Sequence, residues 1–422
     1  MKHTMLPVKS LSGEITVPAS KSHTIRALLI AAMAKGESTI INPLDSTDTQ
    51  SCLNAIKVLG AKIKLENDRW IIMGTGGEIH PVADIIDVGN SGTTLYLAAG
   101  LAALSSHKIT FTGDDQIKSR PVENLLNSLK DLGAEIKYSE KEGYPPFSIQ
   151  GPLTGGKTSI ECPTSQYLSS LLLCTPLING NTEIEVPLLR EQPYVEMTLK
   201  WLNEQFIMYD TADFKEFFIP GGQQFEAFDK QVPGDFSSAT FFMCAAAITG
   251  STLTLKGLDM IDSQGDKAVV YMLQEMGCNI EIGRDFVKIA GAPLKGCEID
   301  LNDTPDALPA MAVTACFAEG ETKLFNVPQA RLKETDRISV MKKELKKMGA
   351  NMEELDDGLR IQGSRANMLK GTEVSGHKDH RVIMALAIAA LAATGETTID
   401  DISAVSITFP NFFKLLSTIV EY

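Results

Sequence analysis

Apolar and polar positions recur in one pattern along this chain: an apolar helical stretch, a glycine, and then a short run of Thr and Ile. The first copy runs from Arg26 to Lys35 and continues as Gly36-Glu-Ser-Thr-Ile40. A glycine after a helix adopts the left-handed conformation at no steric cost, and β-branched residues favour a strand. The pattern therefore predicts a repeated helix–strand element. Later copies lie at Leu168–Asn179, at Ala239–Thr249, before Gly320 and before Gly395, and a copy without the glycine lies at Tyr96–Leu104.

A second pattern runs in phase with the first, and it consists of a helix end, a glycine and a strand. Its glycines stand at positions 60, 133, 277 and 349, with a degenerate copy at Gln205-Phe206 and a last helix at 412–420. Each repeating unit thus holds two helices and spans about 70 residues, so that six units account for the 422 residues. This period is long for a solenoid. We therefore expect an α/β fold of two domains with three units each, residues 1–18 plus 234–422 and residues 19–233.

Composition narrows the classes of partner. The net charge of −14 argues against nucleic acid or an anionic membrane surface, because both require a basic footprint. Neither a signal peptide nor a membrane-spanning stretch is visible. The seven cysteines form no C-x-x-C pair and are typical of reduced core thiols in a reducing compartment. We expect a cytoplasmic monomer that binds small molecules.

The polar residues that precede the apolar helices suggest the chemistry. Taken singly, these segments predict N-caps. Taken together, equivalent helices of a pseudo-symmetric domain would aim their N–H groups and positive dipole ends at shared anions. The six segments are Ser20–Arg26, Asn90–Thr94, Thr164–Gln166, Asp235–Ser238, Asp306–Pro309 and Asp379–Arg381. The cations in or near such segments are Lys21, Arg26, Arg120, Lys333, Arg337 and Arg381.

These features favour an enzyme that acts on small phosphorylated anions. Asp306 and Glu334 lie beside the cations and are candidate proton carriers. There is no Walker or Rossmann glycine motif, and His377 and His380 lack a third metal ligand. We therefore expect neither a cofactor nor a metal.

The motifs resemble those of the 5-enolpyruvylshikimate-3-phosphate (EPSP) synthase family over nearly the whole chain, in the family's order. They are Pro18-Ala-Ser-Lys-Ser22 with Arg26, Asn90–Thr93, Arg120-Pro121, Thr164–Gln166, Gly234-Asp235, Pro305-Asp306, Arg331–Arg337 and Asp379–Arg381. The resemblance implies two domains, each an inside-out α/β barrel of three βαβαββ units. It also implies transfer of the enolpyruvyl group of phosphoenolpyruvate to the 5-hydroxyl of shikimate 3-phosphate. This transferase step releases phosphate in the shikimate pathway of chorismate and aromatic amino acid biosynthesis.

The same resemblance implies roles for individual residues. It makes Asp306, Glu334 and Lys21 catalytic, the two acids as proton carriers. It places around phosphoenolpyruvate Lys21, Gly92, Arg120, Gln166, Arg337 and Arg381. It places around the phosphorylated acceptor Lys21, Ser22, Arg26, Thr164, Ser165, Gln166, Asp306, Gln329 and Lys333. A sister family that acts on UDP-N-acetylglucosamine carries a reactive Cys before the Arg-Pro pair, and residues 112–120 contain none.

Three positions depart from the family pattern, and they leave three functions open. Tyr96 and Ile407 replace an Arg and a Lys, and Glu191 replaces a Ser that helps to hold the acceptor phosphate. The leading hypothesis is an active synthase with altered kinetics. Glu191 favours a second hypothesis, a carboxyvinyl transferase with a different acceptor. Ile407 favours a third, a non-catalytic binding paralogue.

Overall fold

A computed structural model describes residues 2–364 and 369–422. Each of the six predicted polar segments lies at the start of a helix. The helices are α1 Lys21–Met33, α2 Thr47–Val58, α3 Gly92–Ala102, α4 Asp115–Lys118, α5 Glu123–Asp131, α6 Ser165–Cys174, α7 Gln192–Glu204, α8 Phe236–Thr249, α9 Ala268–Glu275, α10 Leu308–Cys316, α11 Arg337–Lys347, α12 His380–Ala392 and α13 Phe412–Ser417. Among the described residues, none of these helices is long and apolar enough to cross a membrane.

The strands are short and lie between the helices along the chain. They are β1 His3–Met5, β2 Ser10–Leu11, β3 Glu14–Thr16, β4 Glu37–Ile41, β5 Lys62–Leu65, β6 Arg69–Met73, β7 Ile85–Asp87, β8 Ile109–Thr112, β9 Glu135–Tyr138, β10 Phe147–Gln150, β11 Gly156–Cys162, β12 Thr182–Leu189, β13 Asp210–Ala212, β14 Glu216–Ile219, β15 Asp229–Gln231, β16 Thr252–Lys256, β17 Asn279–Ile282, β18 Phe286–Ala290, β19 Glu298–Asp300, β20 Gly320–Phe325, β21 Asn351–Leu355, β22 Gly358–Gly363, β23 Glu373–Val374, β24 Thr397–Ile399 and β25 Val420–Glu421.

The chain forms two compact units. Unit 1 contains the residues up to Pro18 together with Pro233–Tyr422, and unit 2 contains Ala19–Val232. The second crossing of the chain thus lies between Val232 and Pro233, one residue before the division at 233/234 expected from the sequence.

The sheets repeat one topology. In the order β7-β8-β10-β9, the first pair is parallel and the other two pairs are antiparallel. The order β11-β12-β14-β13 in unit 2 and the order β19-β20-β22-β21 in unit 1 follow the same scheme. With their helices, these segments read β-α-β-α-β-β along the chain, apart from the short α4 and single turns of 3₁₀ helix.

Two sheets receive their first strand from a distant part of the chain. Strand β15 pairs in parallel with β4, and strand β3 pairs in parallel with β16. Strand β3 ends just before the first crossing, and β15 ends just before the second. In the last repeat, β1 pairs antiparallel with β24 and β2 pairs with β25, so the chain's first residues complete unit 1.

The core of each unit consists of helices that are buried on all sides. In unit 2, α3 packs against α1 and α6, and every residue of α3 is buried. In unit 1, α8, α10 and α12 pack against one another. A helix that is apolar all round must be covered all round, and in both units the sheets and the remaining helices provide that cover. By contrast, α5 is amphipathic and buries one face, through Leu125, Leu126 and Leu129.

Two details of the repeat differ from expectation. Gly180 does not adopt a left-handed conformation; it is required because a Cβ there would lie 2.1 Å from the carbonyl oxygen of Thr154. The last helix ends at Ser417 rather than at 420, because Val420 pairs with Leu11 in a strand.

Candidate active site

In unit 2, the start of α3 brings Gly92 against Arg120. Ser91 caps this helix, because its side chain accepts a hydrogen bond from the N–H of Thr94. A Cβ on Gly92 would lie 2.7 Å from Nη1 of Arg120 and 3.2 Å from its Cζ. The buried guanidinium therefore rests on the helix start, where Gly92 has no side chain to separate it from the N–H groups of the first turn. A cation beside a helix N-terminus is an arrangement that can bind one anion.

The start of α6 holds three more of the predicted residues. Thr164 precedes the helix but does not cap it through its own side chain. Instead, Oε2 of Glu191 accepts hydrogen bonds from Oγ1 of Thr164 at 3.2 Å and from the N and Oγ of Ser165 at 3.2 and 3.0 Å. Nε2 of Gln166 donates to Thr164 Oγ1 at 3.1 Å. A carboxylate thus already fills part of this predicted anion site.

Lys21, Ser22 and Arg26 lie in the first turns of α1, and each has different contacts. Ser20 caps the helix, and the Lys21 ammonium lies 3.2 Å from a carboxylate oxygen of Asp48. Arg26 is buried, and its guanidinium donates to Thr198 Oγ1, to Ser169 Oγ and to the carbonyl oxygens of Ser22 and Tyr194. Burial lowers the pKa of Arg26 to about 10, and Tyr194 partly offsets that shift. Arg26 therefore ties α1, α6 and α7 together.

In unit 1, Arg337 is the centre of an ionic cluster. Its side chain is 1% exposed, and its guanidinium contacts Asp306 at 2.8 Å, Glu334 at 2.5 Å and Asp379 at 2.9 Å. Burial alone would lower the pKa of Arg337, but the three carboxylates together raise it above its ordinary value. Arg337 is therefore charged at any physiological pH, and it fixes both candidate proton carriers, Asp306 and Glu334, on one side chain.

Arg381 completes this cluster from the start of α12. Its Nη2 lies 2.9 Å from Oδ2 of Asp306, whose other oxygen faces Arg337. Asp306 lies in a 3₁₀ turn ahead of α10 and bridges two guanidiniums rather than acting as an N-cap. Asp379 does cap α12, because its side chain accepts from the N–H groups of Arg381 and Val382.

His380 lies beside this cluster and is 1% exposed. Burial lowers its pKa to about 3; Glu334 and Asp379 oppose this shift, while Arg381 and Arg337 add to it. Neither ring nitrogen has a hydrogen-bond partner among the described residues. Ligand atoms of Glu334, Asp379 and His380 lie within 4.8 Å of one another, as a metal site would require. Both carboxylates already contact Arg337, however, and that cation would repel a metal ion.

Gln329 and Lys333 lie in the segment between β20 and α11. Gln329 is buried and donates to the carbonyl oxygen of Asn302, while Lys333 follows the 3₁₀ turn 328–332 and is half-buried. Arg331 in the same turn is held by Asp336 and Glu354.

The departures Tyr96 and Ile407 both lie in apolar surroundings. The ring of Tyr96 meets Tyr167 edge-on at 5.2 Å, and the Tyr167 hydroxyl donates to the carbonyl oxygen of Pro121 at 2.7 Å. The Tyr96–Tyr167 pair therefore supports the segment that carries Arg120. Ile407 ends a 3₁₀ turn that packs against α12, and its side chain is buried.

Some site residues could not be found from the sequence. Asp48, the ion partner of Lys21, lies 27 positions away on α2 and has no distinguishing signal. The sequence places Asp379 and His380 in a helix-start motif and His380 in a histidine pair, but their closeness to Arg337 depends on how α11 and α12 pack.

Both units are built from repeats and place cations and acids at helix starts. This arrangement is typical of an α/β enzyme that acts on small anions.

Comparison with known proteins leads to the same class. The sequence profile of the family described as EPSP synthase (3-phosphoshikimate 1-carboxyvinyltransferase) matches residues 6–416. The chain therefore belongs to the EPSP synthase family, and the predicted resemblance is confirmed.

Individual relatives cover nearly the whole chain. A 3-phosphoshikimate 1-carboxyvinyltransferase of Acetivibrio thermocellus is 52% identical over 96% of this chain and 95% of its own length. Another, of Methanocaldococcus jannaschii, is 40% identical over 97% and 96%. A solved EPSP synthase of Acinetobacter baumannii, 30% identical, superposes with a TM-score of 0.83 over 99% of this chain and 98% of that one. The predicted enolpyruvyl transferase fold is thereby confirmed.

Proposed function

We propose that this enzyme transfers the carboxyvinyl group of phosphoenolpyruvate to the 5-hydroxyl of shikimate 3-phosphate and releases inorganic phosphate. The observation that carries this proposal is the Arg337 cluster, in which two candidate proton carriers and a second guanidinium surround one buried cation. Family membership supplies the reaction, and the cluster supplies chemistry that suits it.

The reaction requires three proton transfers at one site. The acceptor's hydroxyl oxygen attacks C2 of phosphoenolpyruvate and loses its proton, while the methylene carbon C3 gains one. C3 then loses a proton as the C2–O bond to phosphate breaks, which restores the vinyl group. Asp306 and Glu334 are the acids proposed to carry these protons, because both lie on Arg337.

The cations serve the anionic groups of the substrates. In this proposal Lys21, Gly92, Arg120, Gln166, Arg337 and Arg381 bind phosphoenolpyruvate. The acceptor is bound by Lys21, Ser22, Arg26, Thr164, Ser165, Gln166, Asp306, Gln329 and Lys333. Guanidinium and ammonium groups that are already in place stabilise negative charge as it moves to the departing phosphate.

The direct test supplies purified protein with phosphoenolpyruvate and shikimate 3-phosphate and measures phosphate release and the carboxyvinyl product. Turnover supports the proposal. Binding of phosphoenolpyruvate without turnover supports a transferase with a different acceptor. The Glu191 carboxylate favours this alternative, because it occupies the start of α6. Binding of neither compound supports the non-catalytic alternative.

We also propose that the enzyme acts in the cytoplasm as a monomer on small-molecule substrates, without nucleic-acid or membrane partners. The net charge of −14 supports the absence of nucleic-acid and membrane partners, because polyanionic surfaces would repel the protein. Sedimentation of the purified protein tests the monomer, and a species heavier than 45.7 kDa would contradict it.

A further inference from the structure

Glu191 holds its carboxylate in a buried and unusual position. The residue precedes α7, is 2% exposed and has a φ of 58°, a left-handed conformation that is costly for a residue with a Cβ. Its Oε2 accepts three hydrogen bonds, from Thr164 Oγ1, Ser165 N and Ser165 Oγ. The backbone is thus bent to deliver a carboxylate onto the start of a helix that lies 26 residues earlier in the chain.

The groups that bind this carboxylate are those that would bind a substrate anion. The first turn of the ten-residue helix α6 presents N–H groups and the positive end of the helix dipole. Hydrogen bonds to an ionised carboxylate are stronger than those between neutral groups. A second anion cannot use the same three donors while the Glu191 carboxylate is in place.

We infer that Glu191 sets the preference of this site for the charge of the acceptor. Its carboxylate competes with the acceptor's phosphate for the donors of Thr164 and Ser165, so a phosphorylated acceptor must displace the carboxylate. An acceptor with a neutral group at the same position does not have to displace it. This inference rests on the proposed function, which assigns Thr164 and Ser165 to the acceptor.

Two substitutions separate charge from size. Glu191→Gln removes the charge but keeps an oxygen that can accept the same hydrogen bonds. Glu191→Ser removes the competitor and adds a hydroxyl. The matched control is Glu196→Gln, which removes one negative charge from an exposed position on the same helix, α7.

The measurement is the dissociation constant by titration calorimetry for three probes: shikimate 3-phosphate, shikimate and inorganic phosphate. Both Glu191 variants should bind shikimate 3-phosphate and inorganic phosphate at least about tenfold more tightly than the unaltered protein, equivalent to about 1.4 kcal/mol. Their affinity for shikimate should change by less than about threefold, and Glu196→Gln should match the unaltered protein with all three probes. A purely structural role of Glu191 would not change this ratio between charged and neutral probes.

Equal or weaker binding of both phosphorylated probes by the two Glu191 variants would overturn the inference. Tighter binding of shikimate to the same degree as shikimate 3-phosphate would overturn it as well, because the effect would not depend on acceptor charge. If neither the unaltered protein nor any variant turns over shikimate 3-phosphate, the proposed function fails. The affinities of the unaltered protein and the Glu191 variants for inorganic phosphate still decide the role of Glu191. Should the serine variant be unfolded, the glutamine variant decides, because it can keep the three hydrogen bonds.

Discussion

At the scale of single residues, the acids of unit 1 owe their positions to cations. Asp306 bridges Arg337 and Arg381, and Glu334 and Asp379 also contact Arg337. Leaving a buried cation without any partner lowers the stability of the folded protein by about 3–5 kcal/mol. Arg337 has three carboxylate partners, so removal of one leaves it paired. A single acid can therefore be tested for catalysis without unfolding the protein.

Asp306→Ala should abolish turnover and leave the protein folded. Loss of a positioned proton carrier lowers kcat by about 10²–10⁴-fold, while Asp379 and Glu334 still neutralise Arg337. Phosphate release measures kcat, and circular dichroism measures the thermal midpoint. Asp303→Ala, an exposed neighbour, is the control and should keep both values. A fully active Asp306→Ala variant would exclude this residue from the mechanism.

His380 should make the protein less stable in mild acid. The ordinary pKa of histidine is 6.5, and in the folded protein burial lowers the pKa of His380 to about 3. Between these values the unfolded chain binds a proton that the folded chain does not, so stability falls as the pH drops from 6.5 toward 3. The slope from this residue is at most about 1.4 kcal/mol per pH unit.

The measurement compares urea unfolding of the unaltered protein and of His380→Gln from pH 7 to pH 5. From pH 7 to pH 5 the unfolding free energy of the unaltered protein should fall by about 1–2 kcal/mol more than that of His380→Gln. His107→Gln, at an exposed position, is the control and should leave the pH dependence unchanged. Parallel curves for the unaltered protein and His380→Gln would show that His380 titrates normally.

At the scale of elements, helix starts and ends were the most predictable features. Ser20, Ser91, Asp235 and Asp379 cap α1, α3, α8 and α12 through their side chains, as the sequence predicted. Local signals suffice here because a cap bonds to its own helix. The degenerate repeat at Phe206 keeps the left-handed conformation, with a φ of 56°, although glycine is absent. Period and position therefore predicted this turn better than residue type did.

Long-range contacts between elements could not be predicted in the same way. The sequence identified Arg26 and Glu191 as polar residues near a site, but not that Arg26 spans three helices or that Glu191 caps α6. Both outcomes depend on how α1, α6 and α7 pack, and no sequence spacing encodes that packing. The choice of residues for the site came from motifs, and their geometry came from tertiary structure.

Gly92→Ala should weaken binding of phosphoenolpyruvate through Arg120. The new methyl group would lie 2.7 Å from Arg120 Nη1, too close for any real contact, so the guanidinium must move from the start of α3. We expect the KM for phosphoenolpyruvate to rise by about tenfold or more, since displacement of a charged hydrogen bond costs about 1.5–3 kcal/mol.

A double-mutant cycle checks the cause of that effect. In an Arg120→Lys background the narrower side chain leaves room for the methyl group, so Gly92→Ala should cost less than it does alone. Steady-state kinetics at saturating acceptor provide the four values of KM. Strict additivity of the two substitutions would mean that Gly92 acts independently of Arg120.

At the scale of the whole molecule, the chain's first residues belong with its last ones. Strands β1 and β3 pair with β24 and β16, and Leu11 donates its N–H to Ser251 in the same unit. The sequence predicted the two crossings because the repeat phase allows three units on each side only if the first 18 residues join the C-terminal half. Strand pairing then explains why the crossings fall where they do: each follows the strand, β3 or β15, that opens a four-stranded sheet.

Ile15→Ala should therefore weaken unit 1 more than unit 2, although position 15 is near the N-terminus. Ile15 is buried in β3 opposite Leu255 of β16, and truncation of a buried Ile costs about 2–5 kcal/mol. Hydrogen exchange followed by mass spectrometry should show a larger loss of protection in β16 than in β4, the strand at the same place in the equivalent sheet of unit 2. Leu6→Ala, at a side chain 52% exposed, is the control and should leave both strands protected. If β4 lost as much protection as β16, the two units would unfold together, and the two compact units would not be independent units of unfolding.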